Sequence, residues 1–177
     1  DADTDADTDA DTDADTDADP VNLLVDSGFE GLKDLGTWTV YPTELTNWAI
    51  VSTGETLYKS KDTYTAPEGK SSLKVWGQWS GYENETPIYQ EVVAAEGQSF
   101  TISGSVWMHS ADPITADHTY AYLSMKYFDD SYNYYGSTDS DWLDAKDDEN
   151  TWVSLSATGT VPKGATKVQA VIEFWQC

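Results

Sequence analysis

Apolar and polar residues alternate with a period of two in short runs along most of this chain. In "SFTISGSVWMHS" (Ser99 to Ser110), Phe100, Ile102, Gly104, Val106 and Met108 fall on one side, while Thr101, Ser103, Ser105, Trp107 and His109 fall on the other. Successive side chains of an extended strand point to opposite faces, so the pattern predicts a strand with one face in a core. The same reading holds for Thr46 to Ser52, Ser71 to Trp79, Pro87 to Val93, Thr119 to Asp129, Thr151 to Val161 and Thr166 to Trp175. Turn clusters such as "APEGKSS", "AAEGQ", "SADPITAD" and "VPKGAT" separate these runs. Helical periodicity is hard to find anywhere. Short strands with no helices between them predict an all-β fold, an antiparallel β-sandwich.

Alternation also assigns faces. Leu73 and Val75, then Ala121, Leu123, Met125 and Tyr127, then Val168, Ala170, Ile172 and Phe174 point to the core. The opposite faces carry Trp76, Tyr122 and Trp175 among Gln78, Ser124, Lys126, Gln169 and Glu173. The chain has eight Trp and eleven Tyr but only four Phe, an excess of rings with polar edges that points to aromatic surface. Aromatic faces stack on the C–H patches of sugar rings, and short polar side chains bond the hydroxyls. Trp76, Trp107, Tyr122, Gln169 and Trp175 form such a platform if their strands are neighbours, with Gln78, His109 and Lys126 as donors around it. A second set lies in loops: Trp79 and Tyr82 in "QWSGYENE", and Trp142 in "DDSYNYYGSTDSDWLD".

Charge narrows the partners. The chain has 32 acids against nine bases, for a net charge of −23, and all nine bases are lysine. Without the planar fork of arginine, and with this acidic balance, nucleic acid is excluded as a partner, as are strongly anionic ligands. No apolar run is long enough to enter a membrane. Residues 1–20, "DADTDADTDADTDADTDADP", place aspartate at every odd position up to Asp19. They contain no glycine or glutamate, both of which an EF-hand loop requires, so the repeat reads as an extended, disordered acidic linker. The sandwich then occupies residues 21–177. Cys177 is the single cysteine, which leaves no disulfide within the chain.

Four segments occur in a telling order: "NLLVDSGFE" (Asn22 to Glu30), "GKSSLKVWG" (Gly69 to Gly77), "EGQSFTISGSVWM" and "VPKGATKVQAVIEFW". This series resembles the secreted carbohydrate-binding modules of the β-jelly-roll, galactose-binding-like group, especially families 4, 16 and 22. The resemblance implies a jelly roll, a polysaccharide ligand, an extracellular or cell-surface location and covalently attached neighbouring domains. It also implies a structural calcium ion (Ca2+) held by Glu30 and Glu173, with Ser27 and Ser72 contributing; an ion that gathers oxygens from separate segments would pin a long loop to the sheet. No nucleophile motif, zinc-binding His pair or phosphate-binding glycine loop is present, so the chain reads as non-catalytic. The expected function is to hold a neutral or weakly charged polysaccharide and target an attached enzyme or surface protein to it. The alternative is a calcium-stabilised structural or adhesion domain of an extracellular assembly or filament.

Overall fold

The computed structural model describes residues 21–31, 34–52, 66–115 and 118–176; the acidic repeat and Cys177 lie outside the described residues. Nine strands follow in chain order: β1 (Thr39–Val40), β2 (Trp48–Ser52), β3 (Ser71–Val75), β4 (Asn84–Val93), β5 (Ser99–Trp107), β6 (Tyr120–Phe128), β7 (Tyr134–Asp139), β8 (Trp152–Thr160) and β9 (Lys167–Gln176). All seven strands expected from alternation are present. The strand expected from Ser71 to Trp79 ends at Val75, because the carbonyl of Trp76 turns to accept from Asn47 Nδ2 at 2.6 Å.

One layer is a five-stranded antiparallel sheet in the order β1-β4-β9-β6-β7. The opposite layer comprises two antiparallel pairs, β2–β3 and β5–β8. Between the layers, Ile102 and Leu155 from β5–β8 pack on Leu123, Met125, Tyr127, Val168 and Ala170. A second cluster joins Leu73, Val75 and Ile50 of β2–β3 to Val40, Ile88, Phe29 and Trp38. Burial of these side chains removes apolar area from water, about 25 cal/mol for each Å². Ile88 and Ile172 face each other across β4 and β9, and Ile88 is fully buried.

Register then fixes the outer face of the five-stranded sheet, the one turned away from β2–β3 and β5–β8. Counting along β9, Trp175 lies between Glu85 and Tyr120, Glu173 between Pro87 and Tyr122, Val171 between Tyr89 and Ser124, and Gln169 between Glu91 and Lys126. Such faces are ordinarily solvated. Here Gln169, Val171, Glu173 and Ser124 are all buried.

Removing the Ile88 side chain leaves a cavity between the layers, so Ile88→Ala is expected to cost about 2–5 kcal/mol in urea unfolding, with an unchanged slope against urea.

Candidate functional site

The outer face is an aromatic-rimmed trough with a polar floor. At one end, Tyr120, Trp142 and Trp175 form a near-parallel set. The Tyr120 and Trp142 ring centroids are 4.2 Å apart at 8°, and those of Tyr120 and Trp175 are 6.3 Å apart at 7°. Tyr122 tilts against both Tyr120 and Trp142. Local backbone geometry sets Trp142 there. Ser140 N–H donates to the Leu123 carbonyl, and Leu143 and Ala121 exchange both backbone bonds. The two residues pinned between them, Asp141 and Trp142, are exposed, and the Trp142 ring lies against Tyr120. A recess of about 330 Å³ beside Trp142 is lined by Ser140, Asp141 and Asp144.

Loop residues 76–83 enter β4 at the same end. Trp79 N–H donates to Gln176 Oε1 at 3.4 Å, Gln78 Nε2 to the Glu85 carbonyl at 2.9 Å, and Asn84 Nδ2 to Ser80 Oγ at 2.9 Å. The absence of a side chain at Gly77 leaves room for the Gln176 amide, which a Cβ there would displace. These bonds leave Trp79 and Tyr82 74% and 80% exposed, more open than any core role requires.

The floor is built on charge. Lys126 Nζ donates to Glu173 Oε1, whose residue is 1% exposed, while Glu173 Oε2 is buried without a hydrogen-bond partner. Burial pushes the Glu173 carboxyl above the ordinary range; Lys126 opposes the shift, and the nearby Glu85 and Asp139 add to it. Burial likewise raises Tyr122, with Glu173 and Asp139 contributing. Ser124 Oγ donates to Asp139 Oδ1 at 2.6 Å, and Gln169 Nε2 to Glu91 Oε2 at 3.4 Å.

Tyr122, Lys126, Gln169, Trp142 and Trp175 therefore share one face, with Trp79 and Tyr82 at its end. Trp107 and His109 do not join them. Their strand β5 pairs with β8 in the opposite layer, where Trp107 stacks on Trp152 (6.2 Å) and meets His109 edge-on (5.2 Å). His109 Nδ1 accepts from Ala111 N–H at 2.7 Å. Trp76 follows β3, also in the opposite layer, 5.7 Å from Lys74 Nζ. The expected single platform thus divides between the two sides of the sandwich. Tyr120 was missed, although its position two residues before Tyr122 on the same strand puts it on the same face.

The expected calcium ligands do not converge. Glu30 Oε1 accepts from the backbone N–H groups of Lys70 (2.7 Å) and Ser71 (3.0 Å). Ser27 Oγ accepts from Asn22 Nδ2 at 2.8 Å, and Ser72 lies on β3 opposite Val51. Glu173 faces away from β3 on the far side of the five-stranded sheet, and its neighbour Ile172 is the residue that packs toward Leu73. That set does not fit one ion. Among the described residues, no three His, Cys, Asp or Glu side chains gather at a point suited to a metal. Glu30 instead ties an N-terminal turn to the start of β3 by direct hydrogen bonds, and Gly69 (φ 70°) leaves room for its carboxylate.

No protein-family model matches the chain, and no curated protein matches it. Solved structures do. The enzymatically active domain of bacteriophage CBA120 tailspike protein 4 superposes with a TM-score of 0.53 at 13% identity, over 80% of this chain and 18% of that one. A structure from work on the promiscuous specificity of carbohydrate-binding modules of the β-sandwich superfamily superposes with a TM-score of 0.50 at 15% identity, over 81% of this chain and 52% of that one. This chain thus spans under a fifth of the first and about half of the second. The shared feature is the fold: an antiparallel β-sandwich of the kind found in carbohydrate-binding modules. Among the described residues, no helix is long and apolar enough to cross a membrane.

Two outcomes follow from this geometry. Glu30→Ala is expected to lower the melting temperature by several degrees in buffer containing EDTA, since the lost bonds run to backbone N–H groups; an unchanged transition would show that the tether contributes nothing. For Glu173, the folded-state pKa is raised, so the folded chain holds its proton more tightly than the unfolded chain and this residue's contribution to stability falls as pH rises. Relative to Glu173→Gln, the wild type should therefore gain stability as pH is lowered toward the ordinary carboxyl value of 4.5. Parallel melting curves between pH 4.5 and 7.5 measure that difference.

Proposed function

We propose that this chain is a non-catalytic carbohydrate-binding module whose ligand lies on the outer face of the five-stranded sheet. The observation that carries the reading is the near-parallel set of Trp142, Tyr120 and Trp175 beside a hydrogen-bonding floor. Parallel rings favour the flat C–H face of a pyranose, and Gln169, Ser137 and Asp139 offer donors and acceptors to its hydroxyls. Both lysines of the face are already paired, Lys126 with Glu173 and Lys167 with Glu91, while no lysine among the described residues pairs with Glu85 or Asp139. An anionic sugar would meet net repulsion there, so the ligand is a neutral polysaccharide. Glu173, the most buried acid of the face, is committed to Lys126, which suits a rigid floor better than a catalytic acid. The fold shared with carbohydrate-binding modules supports the same reading. In this role the module works outside the cell and keeps an attached enzyme or surface protein close to its glycan, with the acidic repeat as spacer.

Affinity electrophoresis through gels containing hydroxyethyl cellulose, xylan or galactomannan tests it. The wild type should be retarded by at least one of these, Trp175→Ala should lose most of that retardation, and Trp107→Ala on the opposite layer should keep it. Equal loss in both variants, or no retardation of the wild type, would refute the assignment.

A further inference from the structure

The trough has a second aromatic end. Phe128 lies in register with Lys167 on β9 and Tyr134 on β7, at the opposite end of β6 from Tyr120. Its ring meets Tyr134 at 5.6 Å and Tyr132 at 6.2 Å between centroids. Lys167 Nζ sits 4.3 Å from the Tyr132 ring centroid and 3.3 Å from Glu91 Oε1, so the cation at this end is held and compensated within the protein. Tyr132 and Tyr134 are 57% and 59% exposed and belong to neither main core cluster.

Tyr132 is also held in an unfavourable backbone conformation. Its φ of 62° lies in the left-handed region, which costs a bulky L-residue about 1–2 kcal/mol. Asp129 maintains it: its carboxylate accepts from the N–H groups of Ser131 (2.8 Å) and Asn133 (2.9 Å) and from Asn133 Nδ2 (2.8 Å), and its carbonyl accepts from Tyr132 N–H. These bonds hold the Asp129 carboxyl below the ordinary range. The turn thus presents an exposed ring rigidly, with little ordering left to be lost on binding.

We infer that Tyr132 and Tyr134 form a second stacking station for the glycan, and that one linear chain lies along β6 and β9 with its sugars on both stations. The inference rests on the glycan-binding reading of this face. Eight residues of β6 separate Tyr120 from Phe128, about 26 Å at 3.3 Å per residue. The polar floor of Ser124, Lys126, Gln169 and Ser137 runs between the two ends, with the half-buried Tyr89 beside it on β4. A short oligosaccharide fills the Trp175 station alone. A long one reaches Tyr132 as an intramolecular event and gains affinity without any change in its first contacts.

The test is isothermal titration with the trimer and the octamer of whichever backbone sugar retards the protein most on the polysaccharide panel. The wild type should bind the octamer at least about tenfold more tightly than the trimer. Tyr132→Ala should remove most of that gain and leave the trimer within about twofold, whereas Tyr132→Phe, which keeps the ring, should retain it. Trp175→Ala should weaken both oligomers. Equal octamer and trimer affinity in the wild type, an unchanged octamer in Tyr132→Ala, or equal losses for both oligomers in that variant would each overturn the second station while leaving the first intact. A wild type that binds no glycan overturns both readings. Exposed Tyr132 carries no core contact, and melting curves of each variant separate lost binding from lost folding.

Discussion

Strand β9 is bonded along its whole length on one side to β4, from Asn84–Gln176 to Val93–Lys167, and over nine residues on the other side to β6. The floor of the trough, with Tyr120, Tyr122 and Trp175, takes its place from that double register. With a side-chain period of two, Val168, Ala170 and Ile172 must face the opposite layer if Gln169, Glu173 and Trp175 are to face outward. A slip of one residue would carry Glu173 and Gln169 into the apolar core and expose Ile172. The hydrophobic cost of that exchange is what keeps Trp175 beside Tyr120 and Glu173 beside Tyr122, so the core is also the jig that aligns the outer face.

The buried ion pair deserves the same physical reading. Taking Glu173 out of water costs on the order of several kcal/mol, and its attraction to the partly exposed Lys126 offsets this only in good geometry. Stability alone would favour apolar side chains at these two positions. The pair does, however, hold a long, flexible lysine down on the sheet and keep the middle of the trough low between its aromatic ends. Glu85 and Asp139 lie close enough to raise the Glu173 carboxyl further, so the whole face bears on one buried group.

Much of this was legible in the alternation of residues, and the failures share one cause. Period-two patterning reports which side of its own strand a residue occupies, and it placed Leu123, Met125, Val168 and Ala170 in the core and Tyr122, Lys126 and Trp175 opposite them. It carries no information about which strands are neighbours. Trp107 and Tyr122 look equivalent by pattern, yet β5 pairs with β8 in one layer and β6 with β9 in the other. The distance between Glu30 and Glu173 was hidden for the same reason. Strand β7 escaped because its core-side positions are Gly136 and Thr138, which leave no apolar alternation; Thr138 Oγ1 instead bonds Tyr127 Oη at 2.8 Å. Strand β1 has only two residues, too few for any period to register.

The aromatic ends differ in a way that bears on how a glycan would be held. At the Trp175 end, each of the two tryptophan rings lies within 8° of the Tyr120 plane, so they offer a ligand nearly one direction in which to lay a flat face. At the Tyr132 end, the rings tilt by 51° and 55° against Phe128 and present edges and hydroxyls as well as faces. Parallel tryptophans reward a ring that is flat and fixed, while tilted tyrosines tolerate a range of ring attitudes and add hydrogen bonds at their tips. A chain anchored firmly at one end and loosely at the other can twist along its length and remain bound. The difference between the ends follows from the backbone: Tyr120 and Trp175 stand opposite each other on paired strands, whereas Tyr132 stands on a turn whose hydrogen bonds run to Asp129.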